Sequence, residues 1–441
     1  MTDDSHSTAG SITPLGERHR YRMMRVQTFA LTWVAYASLY LTRNNLPVVK
    51  DALIIEHGLS NAQLGVIDTG YLIAYAVGQF ASGYVGDRIG GKRLVGIGLL
   101  ATAGLNLVFG ASGSFVFFLL PWILNGFAQS TGWPGCAKTF SVWFARDERG
   151  TVMGLWLTCY QVGPLVSTFL ATWLLGMYGW QWAFFVPALL VAGFALLFLK
   201  TQPSSPAQEG LAPVEDYYRA VTEADESERD LPPTPPRAPE QEDNRSNLRI
   251  VLTSRPIWTL GLTYVVLKFV RYALLLWLPL YMIQQLGYGA GEAGYTSVVR
   301  DFAGIFGVII AGSISDRIFK SRRAPVVVIM MFLLALAALA FPYLSALGRI
   351  QNIIAIALIG LLLYGPDSVI SGVAAVDFGK TKAASLAAGF VNGVGSIGAA
   401  LSGVVVGLVS QKYGWDAVFW LFVPLCLLGA LLMATMWNKR A

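Results

Sequence analysis

Apolar runs long enough to cross roughly 30 Å of hydrocarbon, about 20 residues each, follow one another along almost the whole chain, separated by short polar turns. Twelve can be delimited: 26–48, 61–85, 94–111, 115–143, 151–176 and 181–200, then 256–285, 293–315, 325–346, 351–376, 383–410 and 415–437. Each predicts a membrane-spanning helix, because a backbone in lipid has to satisfy its own hydrogen bonds. The pattern lapses once. Residues 201–254 carry acidic positions (Glu223, Asp225, Glu226, Glu228, Asp230) and the string Leu231-Pro232-Pro233-Thr234-Pro235-Pro236, too little apolar surface to order itself. The expected organisation is a tail over 1–25, a six-helix bundle over 26–200, a flexible linker over 201–254, a second six-helix bundle over 255–437 and a short tail over 438–441.

Composition agrees with the pattern. Of 441 residues 55% are hydrophobic and 13% charged, against about 25% charged in soluble domains, so the chain reads as an all-α polytopic membrane protein. The net charge of +6 comes from basic clusters in short loops. That is how orientation in a membrane is encoded, and it gives no reason to expect nucleic-acid binding. Seventeen Lys and Arg of the short loops and tails fall on one side of the predicted spans and three, Lys50, Arg349 and Lys412, on the other. This asymmetry predicts that both termini and the linker are cytoplasmic; the lipid bilayer is expected to be that of the cell membrane. Residues 1–16 lack the basic and apolar regions of a cleaved signal peptide. Cys136, Cys159 and Cys426 match neither a zinc site nor a disulfide framework; no metal or cofactor is expected, nor is an enzyme, since no nucleophile with a base is visible.

The two halves repeat. Gly83-Tyr84-Val85-Gly86-Asp87-Arg88 recurs as Gly312-Ser313-Ile314-Ser315-Asp316-Arg317 at an offset of 229; Trp133-Pro134 answers Gly365-Pro366 at 232, and Tyr178-Gly179-Trp180 answers Tyr413-Gly414-Trp415 at 235. Twelve spans in two parallel halves, a long central loop and a doubled Gly-x-x-x-Asp-Arg signature resemble the major facilitator superfamily. The resemblance implies two pseudo-symmetric six-helix bundles around an axis normal to the membrane, a site between them near the midplane, and rocking between inward- and outward-open states.

Two arginines sit deep in spans one and seven, Arg43 in Tyr40-Leu41-Thr42-Arg43-Asn44-Asn45 and Arg271 in Lys268-Phe269-Val270-Arg271-Tyr272, 228 residues apart. A guanidinium at the centre of a spanning helix costs roughly 2.5–3.5 kcal/mol on insertion scales. Both therefore need an anionic partner or a watery cavity. Two planar donor forks approaching from opposite halves suit a dianionic phosphate. The alternatives are neutralisation by an internal carboxylate, Asp68, Asp301 or Asp367, or snorkelling of Arg43 to the interface. Lys268 shares the helix face of Arg271, and Asp301 lies mid-span beside Arg300; Asp301 is expected either to hold Lys268 or Arg271 until the substrate displaces it, or to form a fixed pair. Tyr40, Tyr160 and Tyr272 are the aromatics expected to touch substrate. Asp87, Arg88, Asp316 and Arg317, at helix ends, read as latches on the conformational equilibrium. The glycines of span eleven (Gly389, Gly393, Gly395, Gly398, Gly403) read as close-packing positions.

Tyr40 to Asn44, Gly132-Trp133-Pro134-Gly135-Cys136, Arg149-Gly150 followed by Trp156, Arg271-Tyr272 with Trp277 and Pro279, and Tyr364-Gly365-Pro366 together resemble the organophosphate:inorganic phosphate antiporters. That resemblance implies Arg43 and Arg271 as the phosphate-binding pair and exchange of a phosphate ester, of the glycerol-3-phosphate or sugar-phosphate type, for inorganic phosphate; the chain is expected to act as a monomer. The chain departs from glycerol-phosphate members at Asn44 and Gln79, where they carry lysine, at Leu276, where they carry an acid, and at Tyr160, where they carry histidine. Two other functions fit the same pattern: a proton-coupled symporter of organic anions such as sugar acids, and a membrane sensor of a phosphate ester. Antiport needs no titrating group, and His6, His19 and His57 lie in the tail or a loop.

Overall fold

The structure is a computed structural model that describes residues 18–219, 221, 251–319, 322–374 and 380–438. It consists of helices α1 (Arg18–Leu41), α2 (Asn45–His57), α3 (Asn61–Ile89), α4 (Gly91–Gly110), α5 (Phe115–Gln129), α6 (Gly132–Trp143), α7 (Arg146–Trp156), α8 (Cys159–Tyr178) and α9 (Trp182–Thr201), then α10 (Arg255–Leu286), α11 (Ala290–Arg317), α12 (Arg323–Ala346), α13 (Arg349–Ser368), α14 (Lys380–Tyr413) and α15 (Trp415–Ala434). Among the described residues, nine helices are long and apolar enough to cross a membrane. The other three of the twelve spans are each built from two helices, α1–α2, α5–α6 and α7–α8, where the sequence pattern predicts single ones. Proline accounts for two of the breaks. An unbroken helix would drive the Pro47 ring into the carbonyl of Arg43, four residues back, and the Pro134 ring into that of Ser130; the run of α-helical hydrogen bonds is interrupted by tighter turns at Thr42–Asn44 and at Ser130–Thr131.

Helix pairing repeats between the halves. In the first, α1 packs on α8, α3 on α5 and α4 on α9; in the second, α10 packs on α14, α11 on α13 and α12 on α15. These are spans 1–5, 2–4 and 3–6 matched by 7–11, 8–10 and 9–12, as an internal two-fold requires. The seam between halves is made chiefly by α3 on α14 and α8 on α11, again equivalent under that two-fold, with α2 packed on α10 beside them.

The seam is closed at one end. Asn61 Nδ2 donates to Ser410 Oγ at 3.2 Å and the Ala62 amide to Gln411 Oε1 at 3.0 Å; Thr69 Oγ1 donates to the Ala400 carbonyl at 2.9 Å and accepts from the Val404 amide at 2.9 Å. Gly65 and Gly403 allow the two backbones to meet there, and a Cβ at Gly294 would overlap Thr172 of α8. Towards the other end of α3, three helical turns beyond Thr69 on the same face, Phe80 is 83% exposed and nearby Tyr84 is 62% exposed. One helix face is thus buried against α14 at the start of α3 and uncovered at its far end.

Two stretches differ from the sequence-based expectation. Residues 202–219, expected in a flexible linker, are laid against the first half: Tyr217 stacks on Tyr21 with centroids 3.9 Å apart, Gln202 Nε2 donates to Thr28 Oγ1 at 3.3 Å, and Leu211, Val214 and Tyr217 are buried. Tyrosine and leucine in this segment supply apolar surface that the acidic, proline-rich remainder lacks. Lys50, expected in a loop, lies within α2 with no exposure; its Nζ is 2.5 Å from Asp68 Oδ2 and 3.5 Å from the centre of the Trp277 ring across the seam. The short polar interval between spans misled the reading, because α2 continues to His57.

Candidate functional site

Arg43 owes its position to the break in span one. Interrupting a helix in lipid strands carbonyls that no water can reach, at several kcal/mol each. Here the turn's own amides reach the Leu39 and Tyr40 carbonyls, and neighbouring spans add further donors. Gln129 Nε2 donates to the Leu39 carbonyl at 3.0 Å and to Thr42 Oγ1 at 2.9 Å; Asn125 Nδ2 and Asn106 Nδ2 donate to the Thr42 carbonyl at 3.0 and 3.1 Å; Ser167 Oγ donates to the Tyr40 carbonyl at 2.7 Å. Thr102 Oγ1 donates to Asn125 Oδ1, and Asn45 Nδ2 to Asn106 Oδ1 at 3.0 Å. All of these side chains are buried. The cluster holds an unwound turn rigid and leaves the Arg43 side chain free to face inward, its Cζ 3.8 Å from the centre of the Tyr40 ring. Sequence reasoning missed this cluster. Its signal was available in three amides, Asn106, Asn125 and Gln129, inside apolar spans, two of them four residues apart on one helix face.

Arg271 is presented differently, from the uninterrupted α10. Its Nη1 lies 2.6 Å from Asp367 Oδ2, and its Cζ lies 4.8 Å from the centre of the Tyr364 ring. Asp367 follows Pro366 and lies two residues before a wide π-helical turn, Val369–Ala374, a backbone irregularity of the kind that gathers at functional sites. Arg43, in contrast, has no carboxylate partner among the described residues. Internal neutralisation therefore applies to one arginine of the two.

Both arginines line one cavity between the halves, with roughly 870 Å³ of space unfilled by protein atoms, the open space at its mouth included. Its wall includes Tyr40, Tyr71, Tyr75 and Tyr160 from the first half and Tyr272, Asp301 and Tyr364 from the second. The Tyr272 phenol couples electrostatically to both guanidinium groups. Tyr160 stacks on Tyr36 at 4.8 Å and meets Trp133 and Trp156 edge-on.

Asp301 does not hold Lys268 or Arg271. Its carboxylate accepts from Arg300 Nη2 at 2.9 Å and from the Tyr364 hydroxyl; Arg300, adjacent in sequence, can curl onto it where Lys268 would have to cross the bundle. Lys268 lies outside the cavity lining. Its Nζ donates to Asn392 Oδ1 at 2.7 Å and Ser396 Oγ at 3.2 Å on α14. With Arg271, Arg300 and Lys50 each matched by a carboxylate, Arg43 and Lys268 remain without one among the described residues, and the described residues around the cavity carry surplus positive charge.

Of the helix-end residues, Asp87 accepts from Lys138 Nζ at 2.8 Å, Arg88 donates to the Tyr84 hydroxyl, and Arg317 is exposed; the side chain of Asp316 lies outside the described residues. In α14, Gly395 packs on Tyr264, Gly398 on the Val265 backbone and Gly403 on Thr69, whereas Gly389 and Gly393 face open space. The three cysteines are free and buried.

An all-helical chain of two matched halves around a central cationic cavity defines a membrane transporter of the rocking type, and comparison gives the family. Residues 32–402 match the Major Facilitator Superfamily, and the chain belongs to it. Within that superfamily its relatives are those of the organophosphate:inorganic phosphate antiporters. The chain is 31% identical to "Glycerol-3-phosphate transporter" of Bacillus subtilis, over 96% of this chain and 94% of that one. It is 30% identical to "Probable hexose phosphate transport protein" of Chlamydia pneumoniae, over 96% and 93%, and 30% identical to "Membrane sensor protein UhpC" of Salmonella typhimurium, over 96% and 93%. Among solved structures, a bacterial homologue of the human lysosomal transporter Spinster, inward-facing and unoccupied, aligns with a TM-score of 0.74 at 13% identity, covering 94% of this chain and 95% of that one. The likeness extends to the fold alone.

Proposed function

We propose that this protein exchanges an organic phosphate ester of the glycerol-3-phosphate or sugar-phosphate type for inorganic phosphate by alternating access, as a monomer in the cell membrane with both termini cytoplasmic. The observation that carries the proposal is the cavity: one guanidinium from each half lines it, and Arg43 faces it without a carboxylate. A phosphate ester supplies the missing charge and enough oxygen acceptors for two forks. The printed names of the relatives support the ester; the surplus positive charge supports an anion over a neutral sugar. In this orientation the closed end of the seam is outside, so the cavity communicates with the cytoplasm.

In this scheme Arg43 and Arg271 clamp the phosphate, and Tyr40, Tyr160 and Tyr272 contact the substrate. Lys268 contributes long-range positive charge, while Asp301 fixes Arg300 and Tyr364. Asp87, Arg88, Asp316 and Arg317 bias the inward–outward equilibrium at the cytoplasmic helix ends. Substrate spanning both arginines draws the halves together, which couples loading to reorientation.

The sensor reading keeps a specific basis in the similarity to a membrane sensor protein, and it differs in outcome rather than in binding. Counterflow decides. Liposomes holding labelled inorganic phosphate are given external phosphate esters or sugar acids. Efflux stimulated by esters supports exchange, tight ester binding without flux supports a sensor, and accumulation of a sugar acid with protons contradicts both.

A further inference from the structure

Two hydrogen-bond donors in the cavity wall lack acceptors. The Tyr71 hydroxyl, whose oxygen meets the Arg43 guanidinium, and the Asn44 side-chain nitrogen are buried and donate to no acceptor among the described residues; the residues are only 7% and 5% exposed, and both line the cavity. Buried polar groups are paired in the great majority of cases, so each marks a partner that arrives from outside the chain. The chemistry of that partner can be read from the orphans. The amide nitrogen of Asn44 can only donate, and a phenol donates readily to an anion, so both call for oxygen acceptors.

Their neighbour is Arg43. Asn44 follows it in the turn, and the Tyr71 hydroxyl oxygen accepts from its guanidinium. These donors all belong to the first half. Across the cavity, Arg271 is engaged with Asp367. We infer that Arg43, Tyr71 and Asn44 form a half-site that seats the phosphoryl group through its non-bridging oxygens before Arg271 engages. Tyr71 and Asn44 are then binding residues for the phosphate itself, and the organic part of an ester projects towards the second half.

The inference rests on the phosphate-exchange reading and sharpens it. A phosphoryl group offers three terminal oxygens carrying about two negative charges, enough for a guanidinium, a phenol and an amide at once. A carboxylate offers two oxygens and a single charge. A sugar hydroxyl would leave Arg43 uncompensated.

The test uses inorganic phosphate alone, with no ester present, in liposomes containing the full chain. Labelled phosphate exchange is measured against phosphate concentration for the wild type, Tyr71→Phe and Asn44→Ala. Tyr71→Phe retains the ring that meets Tyr75 and Trp122 and removes one oxygen. Each substitution is expected to raise KM for inorganic phosphate about tenfold, with the effect falling on KM rather than on the maximal rate. Wild-type exchange with KM unchanged in both variants overturns the half-site alone. So does a KM shift seen only when glycerol-3-phosphate is titrated, since Tyr71 and Asn44 would then read the organic part. A wild type that exchanges no phosphate overturns the transport reading and the half-site with it.

Discussion

Gly65 and Gly403 face each other across the closed end of the seam, and an added methyl there perturbs one conformational state without touching the cavity. A Cβ at Gly65 would lie 2.5 Å from the Gly403 carbonyl oxygen and 3.1 Å from the Val404 Cα. Both are backbone atoms, so no side-chain rotation relieves the overlap. Overpacking of this kind costs about 1–3 kcal/mol, and the cost arises only while this end is closed. Gly65→Ala should therefore shift the closed-to-open ratio at the outer end by about 5- to 150-fold. The assay places a cysteine at Leu275, in the cavity wall, and follows its reaction with a membrane-impermeant thiol reagent added outside the cell. The native cysteines are buried and give little background. Adding Gly65→Ala to Leu275→Cys should accelerate labelling by a similar factor until the open state dominates. Gly176→Ala on α8, with nothing within 4 Å of the added carbon, should leave the rate unchanged. Labelling at the unmodified rate in a folded, inserted Gly65→Ala protein would refute the assignment of this seam as the outer gate.

Three further outcomes follow from the packing. Lys50→Met leaves Asp68 buried without its partner and should destabilise the protein by about 3–5 kcal/mol; Lys50→Met with Asp68→Leu should recover much of that, as read by thermal denaturation in detergent. Gln129→Leu removes the donor that reaches the Leu39 carbonyl and the Thr42 hydroxyl from a neighbouring span but leaves the carbonyl the Thr42 amide and hydroxyl and leaves the hydroxyl Thr102, and a loss of about 0.5–1.5 kcal/mol is expected in the same assay. Asp367→Asn releases Arg271 and should lower KM for inorganic phosphate about three- to tenfold, measured by exchange at limiting phosphate; a raised KM would mean that Asp367 positions Arg271 rather than competing for it.

Periodicity and repetition carried most of the architecture. The offsets near 230 residues anticipate the matched helix pairing of the two halves, because each half buries the same faces. Local backbone was less legible. Pro47 and Pro134 stand in apolar runs, and hydropathy cannot distinguish a bent helix from one that ends and restarts; the difference lies in whether buried amides on other spans can take up the freed carbonyls. Arg43 and Arg271 were visible because charge inside an apolar run is costly. Which carboxylate answers which cation was not visible. Arg300 takes Asp301 because the two are adjacent, leaving Arg271 to Asp367 from a helix 96 residues further along. Tyr71 was lost among many tyrosines, since only a buried hydroxyl without an acceptor separates it from those that merely pack.

The most direct measurement compares Arg43→Lys, Arg271→Lys and wild type in the counterflow assay, with labelled phosphate inside and glycerol-3-phosphate or a hexose phosphate outside. Lysine keeps the charge and loses the planar fork, so each variant should lose about 10- to 150-fold in exchange at limiting substrate while remaining folded and inserted. Exchange at the wild-type rate in either variant would contradict the claim that two guanidinium groups, one from each half, grip the phosphate together.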